Sequence, residues 1–484
     1  MKRLRPILMP ALLLLVAVTA RAGLPPTRTQ MILREAGDPA DLRQRLRAFT
    51  SQASGIDAGE AHYYLASSYS RASQPESALA HWRLSRSLRG SNSDLAALAE
   101  ALMKRARPGD VEEALGMVTP ALAEARALND NSTAELQGLL GWGKYLSGDV
   151  AGAKSQLDQV ADQIGHSRAW RQRYALVLQK SGDAIHAIQT LRPVAIACRG
   201  QDPDVMQILN DAAATFGRAD AMQKDVTDQI AARDAIENRA IGRMQGQRMS
   251  FAGADGYPLA GVALIPSGVA RPRAAVVLLA PGDTIAAYDS LAAGLERSGF
   301  AVLLTWVRGS GFSVAPSCPL PESWDGREEA LMRQTGRDVR EAVRALAAQA
   351  RADTSAILVG GAGSMAMAAA LAAAADRRAR ALVLLSPDPD PVDRGFLRAT
   401  LARRKMPVFF QQTPEDFPNY EIIDMAFHAC DESNSRVSDG RSFGHGAVAF
   451  RQDPRVMPRF TEWLQAAMKV PAKSAAPPPA PRKG

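Results

Sequence analysis

The sequence predicts an α/β protein in which an N-terminal all-α helical repeat arm precedes a doubly wound sheet domain. Residues 41–245 show almost no strand signal, and Gly-Asp pairs recur there at intervals of 39 and 34 residues. Residues 246–469 alternate short apolar runs with helical stretches, a pattern typical of a mainly parallel sheet covered on both faces. Within that second part, an apolar run rich in branched residues enters a glycine-rich bend and then an alanine-rich helix.

The N-terminal 22 residues have the features of a secretory signal peptide. Three basic side chains precede an apolar run over residues 7–20, and Ala20-Arg21-Ala22 offers a small-x-small cleavage site. The apolar run is shorter than the roughly 20 residues that a membrane-spanning helix needs. We therefore expect a periplasmic or secreted protein with no transmembrane span after cleavage, a retained anchor being the alternative.

The charge distribution argues against a nucleic-acid partner. The net charge is +8, but the three N-terminal cations and Lys469, Lys473, Arg482 and Lys483 of the tail account for seven of it. The part of the chain expected to fold is thus nearly neutral, whereas nucleic-acid binding needs a concentrated basic face.

The chain has three cysteines, Cys198, Cys318 and Cys430. An odd count leaves at least one unpaired, and a bridge between Cys318 and Cys430 stays open because both fall in the second domain. Their spacing fits no metal site, and we expect no cofactor. Residues 23–40 are predicted to be a linker, and the Ala/Pro/Lys-rich tail 470–484 to be disordered because it cannot bury a core.

The arm contains units of about 34 residues, which is the length of a helix–turn–helix repeat. The clearest unit carries Leu65-Ala66, Tyr69, Ala78 and Trp82, and later units carry the turns Gly109-Asp110, Gly148-Asp149 and Gly182-Asp183. Residues 41–245 resemble tetratricopeptide repeats, which implies a concave surface for a protein or peptide partner. An unrelated helical bundle, a rigid spacer and a dimer contact remain alternatives.

The second domain is predicted strand by strand. Residues 249–252 and 259–264 form a hairpin around Asp255-Gly256, a tight-turn signal. Further strands are predicted at residues 274–280, 300–307, 356–360, 381–386 and 406–411, and the closing helix at residues 458–468.

Three motifs in this domain resemble those of α/β hydrolases of the compact esterase and dienelactone-hydrolase-like kind, over about 220 residues. The second core strand leads to Arg308-Gly309-Ser310-Gly311-Phe312-Ser313, which is the R-G-x-G-x-S of the family. The resemblance implies that Asp416, after a late strand, is the acid and that His445, in a Gly-rich loop, is the base.

The nucleophile is where the sequence departs from the family. Aligned on G-x-S-x-G, the elbow is Gly360-Gly361-Ala362-Gly363-Ser364, so Ala362 stands at the serine position. The resemblance places oxyanion donors on the backbone N–H groups of Gly363 and of Gly282-Asp283. A shifted elbow centred on Ser364 is the alternative, and it requires a strand two residues longer.

Two functions follow from the two registers. The first is a catalytically degenerate envelope protein that holds a partner on its arm and binds a small ester or acyl ligand without cleaving it. The second is an active serine hydrolase with Ser364, Asp416 and His445 as its triad. No motif supports Ser310, Ser313, Glu415 or His428 in a catalytic role, and residues 314–327 are expected to be a loop or small lid near the site.

Overall fold

The computed structural model describes residues 26–165, 167–440 and 444–469. The predicted signal peptide and the tail 470–484 lie outside the described residues. Helices of the arm are α1 (Arg28–Glu35), α2 (Pro39–Thr50), α3 (Gly55–Arg71), α4 (Pro75–Arg89), α5 (Asn92–Arg105), α6 (Asp110–Leu128), α7 (Thr133–Leu146), α8 (Val150–Asp158), α9 (Ala161–Ile164), α10 (Arg168–Lys180), α11 (Ala184–Ala197), α12 (Pro203–Ala214) and α13 (Ala219–Arg243). No described helix is long and apolar enough to cross a membrane.

The predicted Gly-Asp pairs form the turns of successive helical hairpins. Gly109, Gly148 and Gly182 have φ values of 87°, 89° and 85°, a left-handed conformation that glycine adopts without a steric cost. Gly109 directly precedes the second helix of its pair, and Gly148 and Gly182 each stand two residues before theirs. At one of these turns, the carboxylate of Asp149 caps α8 by accepting from the Gly152 N–H at 2.8 Å.

The second part of the chain forms one eight-stranded sheet in the order β1-β2-β4-β3-β5-β6-β7-β8. β1 and β2 pair antiparallel, β2 pairs antiparallel with β4, and the strands from β4 to β8 run parallel. The strands are β1 (Gln247–Ala252), β2 (Pro258–Leu264), β3 (Arg273–Leu278), β4 (Phe300–Thr305), β5 (Asp353–Ala362), β6 (Ala379–Leu385), β7 (Val408–Gln412) and β8 (Arg436–Asp439).

Helices cover both faces of the sheet, which explains the continuous apolar runs of the strands. They are α14 (Asp289–Arg297), α15 (Glu328–Ala350), α16 (Ala366–Ala375), α17 (Arg394–Arg404), α18 (Tyr420–Ala429), α19 (Ala449–Gln452) and α20 (Val456–Ala467). Neighbours along a strand enter different cores: Phe410 packs with α15 to α18, whereas Phe409 packs with α14 and α20. The doubly wound arrangement predicted from sequence is confirmed.

The first helices of the arm pack directly on the sheet domain. Leu33, Leu42 and Leu65 belong to the same apolar core as α17 and the sheet. Arg71 lies between Asp390 and Asp393 at 3.3 and 2.5 Å, and its side chain is 17% exposed. The segment predicted to be a linker therefore contains α1 and forms part of this contact.

The segment 314–327 fills the space between the arm and the sheet, and is not a free lid. Leu320 packs into the apolar cluster of α10 to α13, and Trp324 is buried with its Nε1 donating to the Arg308 carbonyl. On the arm side, the hydroxyl of Ser73 donates to the Gly326 carbonyl. Cys318 is buried here, and all three cysteines are free, so the bridge between Cys318 and Cys430 is not formed.

Candidate functional site

Asp416 and His445 meet at the carboxyl edge of the sheet. Asp416 lies in the turn Pro414–Asn419 after β7, and His445 directly precedes the turn Gly446–Val448. The imidazole Nδ1 lies 2.8 Å from Asp416 Oδ1, and the two side chains are 51% and 1% exposed respectively. With Nδ1–H donating to the carboxylate, Nε2 is left as the acceptor that faces the site.

The second carboxylate oxygen of Asp416 is held by Ser386 and Thr413. It accepts from the Ser386 hydroxyl and the Thr413 N–H, both at 2.7 Å, and from the Thr413 hydroxyl at 3.3 Å. Ser386 Oγ also accepts from the Gly446 N–H at 2.8 Å, so one buried hydroxyl ties the acid to the histidine loop. Ser386 was not predicted from the sequence, where its position directly after β6 matches no motif.

These contacts move both pKa values. Burial alone would raise the pKa of Asp416, but hydrogen bonds from His445, Ser386 and Thr413 hold it below its ordinary value. The hydrogen bond to Asp416 raises the pKa of His445 against the effect of burial, and the charges of Asp416, Asp283 and Asp388 act in the same direction.

The elbow presents Gly363, and not Ala362 as predicted. β5 runs two residues further than expected, and Ala362 remains in it, paired with Leu385 and 1% exposed. Gly363 has a φ of +55°, and a Cβ built on it would lie 3.9 Å from His445 Nε2. The side-chain position that faces the base is therefore occupied by a hydrogen atom.

Two further glycines of the elbow motif have packing roles. A Cβ at Gly361 would lie 2.6 Å from the Met365 carbonyl oxygen, so only glycine lets the helix return this close to the strand. Gly360, two residues from the end of β5, faces the side chain of Val277. In the structure the motif is thus Gly361-Ala362-Gly363-Ser364-Met365, one residue later than the alignment suggested.

Ser364 follows the elbow and is exposed in the short turn Gly363–Met365. Among the described residues it makes no hydrogen bond to His445, so the longer strand required by the alternative register did not bring this serine to the base. The triad proposed with Ser364 is not assembled, whereas Asp416 and His445 are in contact.

The predicted oxyanion loop is only partly suited to that role. The Asp283 N–H donates to the Ala280 carbonyl at 3.1 Å, and its carboxylate accepts from the Tyr288 hydroxyl at 2.7 Å. Burial raises the pKa of Asp283, an effect opposed by Tyr288 and His445. Gly282 is exposed with a φ of +89°. With Gly363 at the elbow, the donor that follows it is the Ser364 N–H, in place of Gly363 itself.

The arm closes one side of this loop. A cavity of about 40 Å³, room for little more than a water molecule, lies between Gly282 and Asp283, Trp306 and Phe312, and helices α11 and α13. Glu237 of α13 accepts from the Ile285 N–H at 3.3 Å, and the Arg199 guanidinium lies 4.5 Å from the Phe312 ring centroid. The arm thus forms part of the wall beside the candidate site.

The remaining sequence candidates lie elsewhere or have structural roles. Arg308 of the R-G-x-G-x-S motif is buried and pairs with Asp255 and Asp338, and Ser313 Oγ donates to the Trp306 carbonyl. Ser310 donates to the Val307 carbonyl, Glu415 is exposed, and His428 pairs with Asp424 and Glu432. Within the described residues no cluster of His, Cys, Asp or Glu could hold a metal ion.

No protein-family model matches the sequence, and no curated protein matches it. Solved structures similar to the chain include a DcsB complex with its substrate analogue, at 14% identity and a TM-score of 0.37, covering 46% of this chain and 100% of that chain. A predicted CIB-like hydrolase from Thermoplasma acidophilum matches at 12% identity and a TM-score of 0.37, covering 46% and 98%. The esterase domain from a Rhodothermus marinus protein matches at 14% identity and a TM-score of 0.35, with the same coverage. TM-scores this low carry no weight for function.

Proposed function

We propose that the second domain is an α/β-hydrolase-like module that has lost the covalent serine route and binds its ligand without forming an acyl-enzyme. The observation that carries this proposal is Gly363, whose missing side chain leaves His445 Nε2 with no hydroxyl to deprotonate. In a serine hydrolase, removal of one triad member leaves only about 10³–10⁴-fold catalysis over water.

The order of the elements supports the assignment to this superfamily. The elbow after β5, the acid after β7 and the histidine before the last helices occur in the order elbow, Asp, His. The Asp416–His445 contact supplies the acid–base half of the catalytic group. For the ligand we propose a small ester or acyl compound, because the resemblance implies that chemistry.

We also propose that the arm binds a partner and that the protein is exported. Hairpins with Gly-Asp turns support a tetratricopeptide-like arm that holds a protein or peptide partner. Since α1 to α3 and α10 to α13 pack on the second domain or on residue 320, we place the partner on the outward surface of the arm. The features of residues 1–22 support export to the periplasm or beyond.

A fluorophosphonate probe tests the loss of the serine route, because it labels only a serine activated by a base. The full chain, Ser364→Ala and His445→Ala are treated with the probe and analysed by intact mass and peptide mapping. We expect no stoichiometric label on any of the three. Stoichiometric labelling at Ser364 that disappears in both variants would establish the alternative, an active serine hydrolase.

A further inference from the structure

Six exposed cations line the edge of the sheet opposite the candidate site. They stand where the parallel strands begin, and we call this set the basic edge: Arg271, Arg273, Arg351, Arg377, Arg403 and Lys405. The strand pairings bring them together. Arg273 pairs with Asp353 at the start of β5, and the carbonyls of Asp376 and Ala379 accept from Arg404, between the last two cations.

The charges of the basic edge are only partly neutralised: those of Arg271 and Arg273, after hydrogen bonds from Ser355, help to lower the pKa of Asp353. In the described part of the chain none of the six forms a salt bridge, although Arg403 donates to the carbonyls of Ala399 and Gly37. Of the carboxylates at these strand starts, Asp353 is half-buried, and Asp376 is buried and paired with Arg378. The edge therefore carries a concentrated positive charge on a nearly neutral domain.

Helix termini account for part of this charge only. Arg351 and Lys405 follow the last residues of α15 and α17 in left-handed conformations, where a cation complements the helix dipole. Arg404 is used in the same way, since its guanidinium donates to three carbonyls. Arg271, Arg273 and Arg377 do not end a helix, and within the described residues their guanidinium groups form no hydrogen bond or salt bridge.

We propose that the basic edge binds the surface of an anionic phospholipid membrane. Clustered Lys and Arg side chains are attracted to anionic headgroups, with an affinity that grows about five-fold for each charge. Val269 is 41% exposed in the β2–β3 loop, two residues from Arg271, and can enter the headgroup layer beside the cations. Within the described chain, no exposed aromatic side chain lies near this edge. Because single-stranded nucleic acid is bound largely by stacking its bases on aromatic rings, the basic edge does not suit such a ligand.

This orientation has a consequence for the candidate site. Gly363, Ser386 and Asp416 follow the carboxyl ends of β5, β6 and β7, and the basic edge lies at their amino ends. A protein bound through the basic edge would hold Gly363 and His445 on the side away from the bilayer, open to a ligand from the aqueous phase. The proposal does not depend on whether the site is catalytic.

Sedimentation with vesicles tests the basic edge in the full chain. We expect binding to vesicles of equimolar phosphatidylcholine and phosphatidylglycerol, no binding to phosphatidylcholine alone, and loss of binding as salt rises from about 0.1 to 1 M. The variant Arg271→Gln/Arg377→Gln/Lys405→Gln removes three exposed charges and should bind about 100-fold more weakly.

A matched control separates this surface from net charge. Arg218→Gln/Arg239→Gln/Arg243→Gln removes three exposed cations from α13 and its start, and should bind like the parent chain. Equal weakening by both triple variants, or no preference of the parent for phosphatidylglycerol, would overturn the proposal. Binding of the basic edge to duplex DNA without vesicle binding would also overturn it, in favour of a nucleic-acid surface.

Discussion

His445 Nε2 faces Gly363 at a distance that suits a missing hydroxyl, since a Cβ on residue 363 would lie 3.9 Å from that nitrogen. The same Cβ would be 3.5 Å from Ala280 Cβ, an ordinary contact, so the site has room for a side chain. Asp416, His445 and the bend are assembled, and in the proposed hydrolase-like site residue 363 is the position where the nucleophile is missing. A single substitution can therefore test the geometry.

Gly363→Ser should create a nucleophile that the parent chain lacks. The left-handed φ of residue 363 costs an L-residue about 1–2 kcal/mol, a strain that nucleophile elbows ordinarily bear. We expect stoichiometric fluorophosphonate labelling at residue 363, measured by peptide mapping. Gly363→Ala should bear the same strain but take no label. Gly363→Ser/His445→Ala should also stay unlabelled, because the base is gone. A folded Gly363→Ser chain that stays unlabelled would show that residue 363 does not face the base.

The sequence anticipated most of the sheet because buried parallel strands are continuous apolar runs. β3, β4, β6 and β7 lie within two residues of their predicted bounds. β8 was missed, since Arg436–Asp439 is four residues long and mostly polar. Helix α1 was missed because residues 23–40 look like a linker, although Leu33 is buried against the second domain.

The site was harder to predict than the fold, for a geometric reason. A one-residue shift of the elbow decides which side chain meets His445, and sequence patterns place strand ends less accurately than that. Asp416 and His445 were singled out from the motifs of the resemblance and their order along the chain, and the structure brings the two side chains into contact. Ser386 could not be found this way, because a serine after a strand matches no motif.

Asp416→Asn should lower the pKa of His445. The carboxylate now raises that pKa by accepting a hydrogen bond from the imidazole and by its charge. NMR titration of the imidazole measures the shift directly. A histidine whose pKa is raised by folding contributes stability that is fully present below its unfolded pKa. This contribution is lost as pH rises through its folded pKa. The free energy of unfolding of the parent should therefore be higher than that of Asp416→Asn, and this difference should be larger at pH 5 than at pH 9.

Ser386→Ala should also affect the Asp416–His445 pair, by removing the hydroxyl that ties the acid to the histidine loop. It removes one donor to Asp416 and the acceptor of the Gly446 N–H, so the pKa of Asp416 should rise and the histidine loop should loosen. We expect a broadened His445 resonance and faster amide exchange at Gly446. Ser87→Ala, an exposed serine of α4, is the control and should leave both unchanged.

The contact between the arm and the second domain should depend on pH through Asp393. Burial raises the pKa of Asp393 to about 6, although Arg71 opposes the shift. Because the folded pKa exceeds the unfolded one, the contribution of this carboxyl to stability should fall as pH rises from 4 to 6 and then level off, whereas a carboxyl with a lowered pKa, such as Asp416, contributes in the opposite direction. Urea unfolding across this range should therefore show the stability of the parent falling relative to that of Asp393→Asn, and a constant difference between the two chains would refute the assignment to this carboxyl.

Arg71 should matter far more than a solvent-exposed ion pair across the same contact. Arg71→Ala leaves Asp390 and Asp393 without their cation in a largely buried site, and should cost about 3 kcal/mol. Lys104→Ala breaks a pair with Asp325 in which both side chains are more than half exposed, and should cost less than 1 kcal/mol. Urea unfolding of both variants at pH 7 gives the comparison, and equal losses would contradict the burial of Arg71.

Gly395→Ala should weaken the docking of α1 on α17. A Cβ at residue 395 would lie 2.5 Å from the carbonyl oxygens of both Leu33 and Ala36, and these backbone atoms cannot turn away as a side chain could. We expect a loss of about 1–3 kcal/mol and faster amide exchange in α1 than in the parent. Gly116→Ala is the matched control, because a Cβ at that exposed position in α6 meets nothing within 4 Å. It should raise stability by up to about 1 kcal/mol, since alanine favours the helix. If amide exchange in α1 were as slow in Gly395→Ala as in the parent, the close approach of α1 and α17 would be wrong.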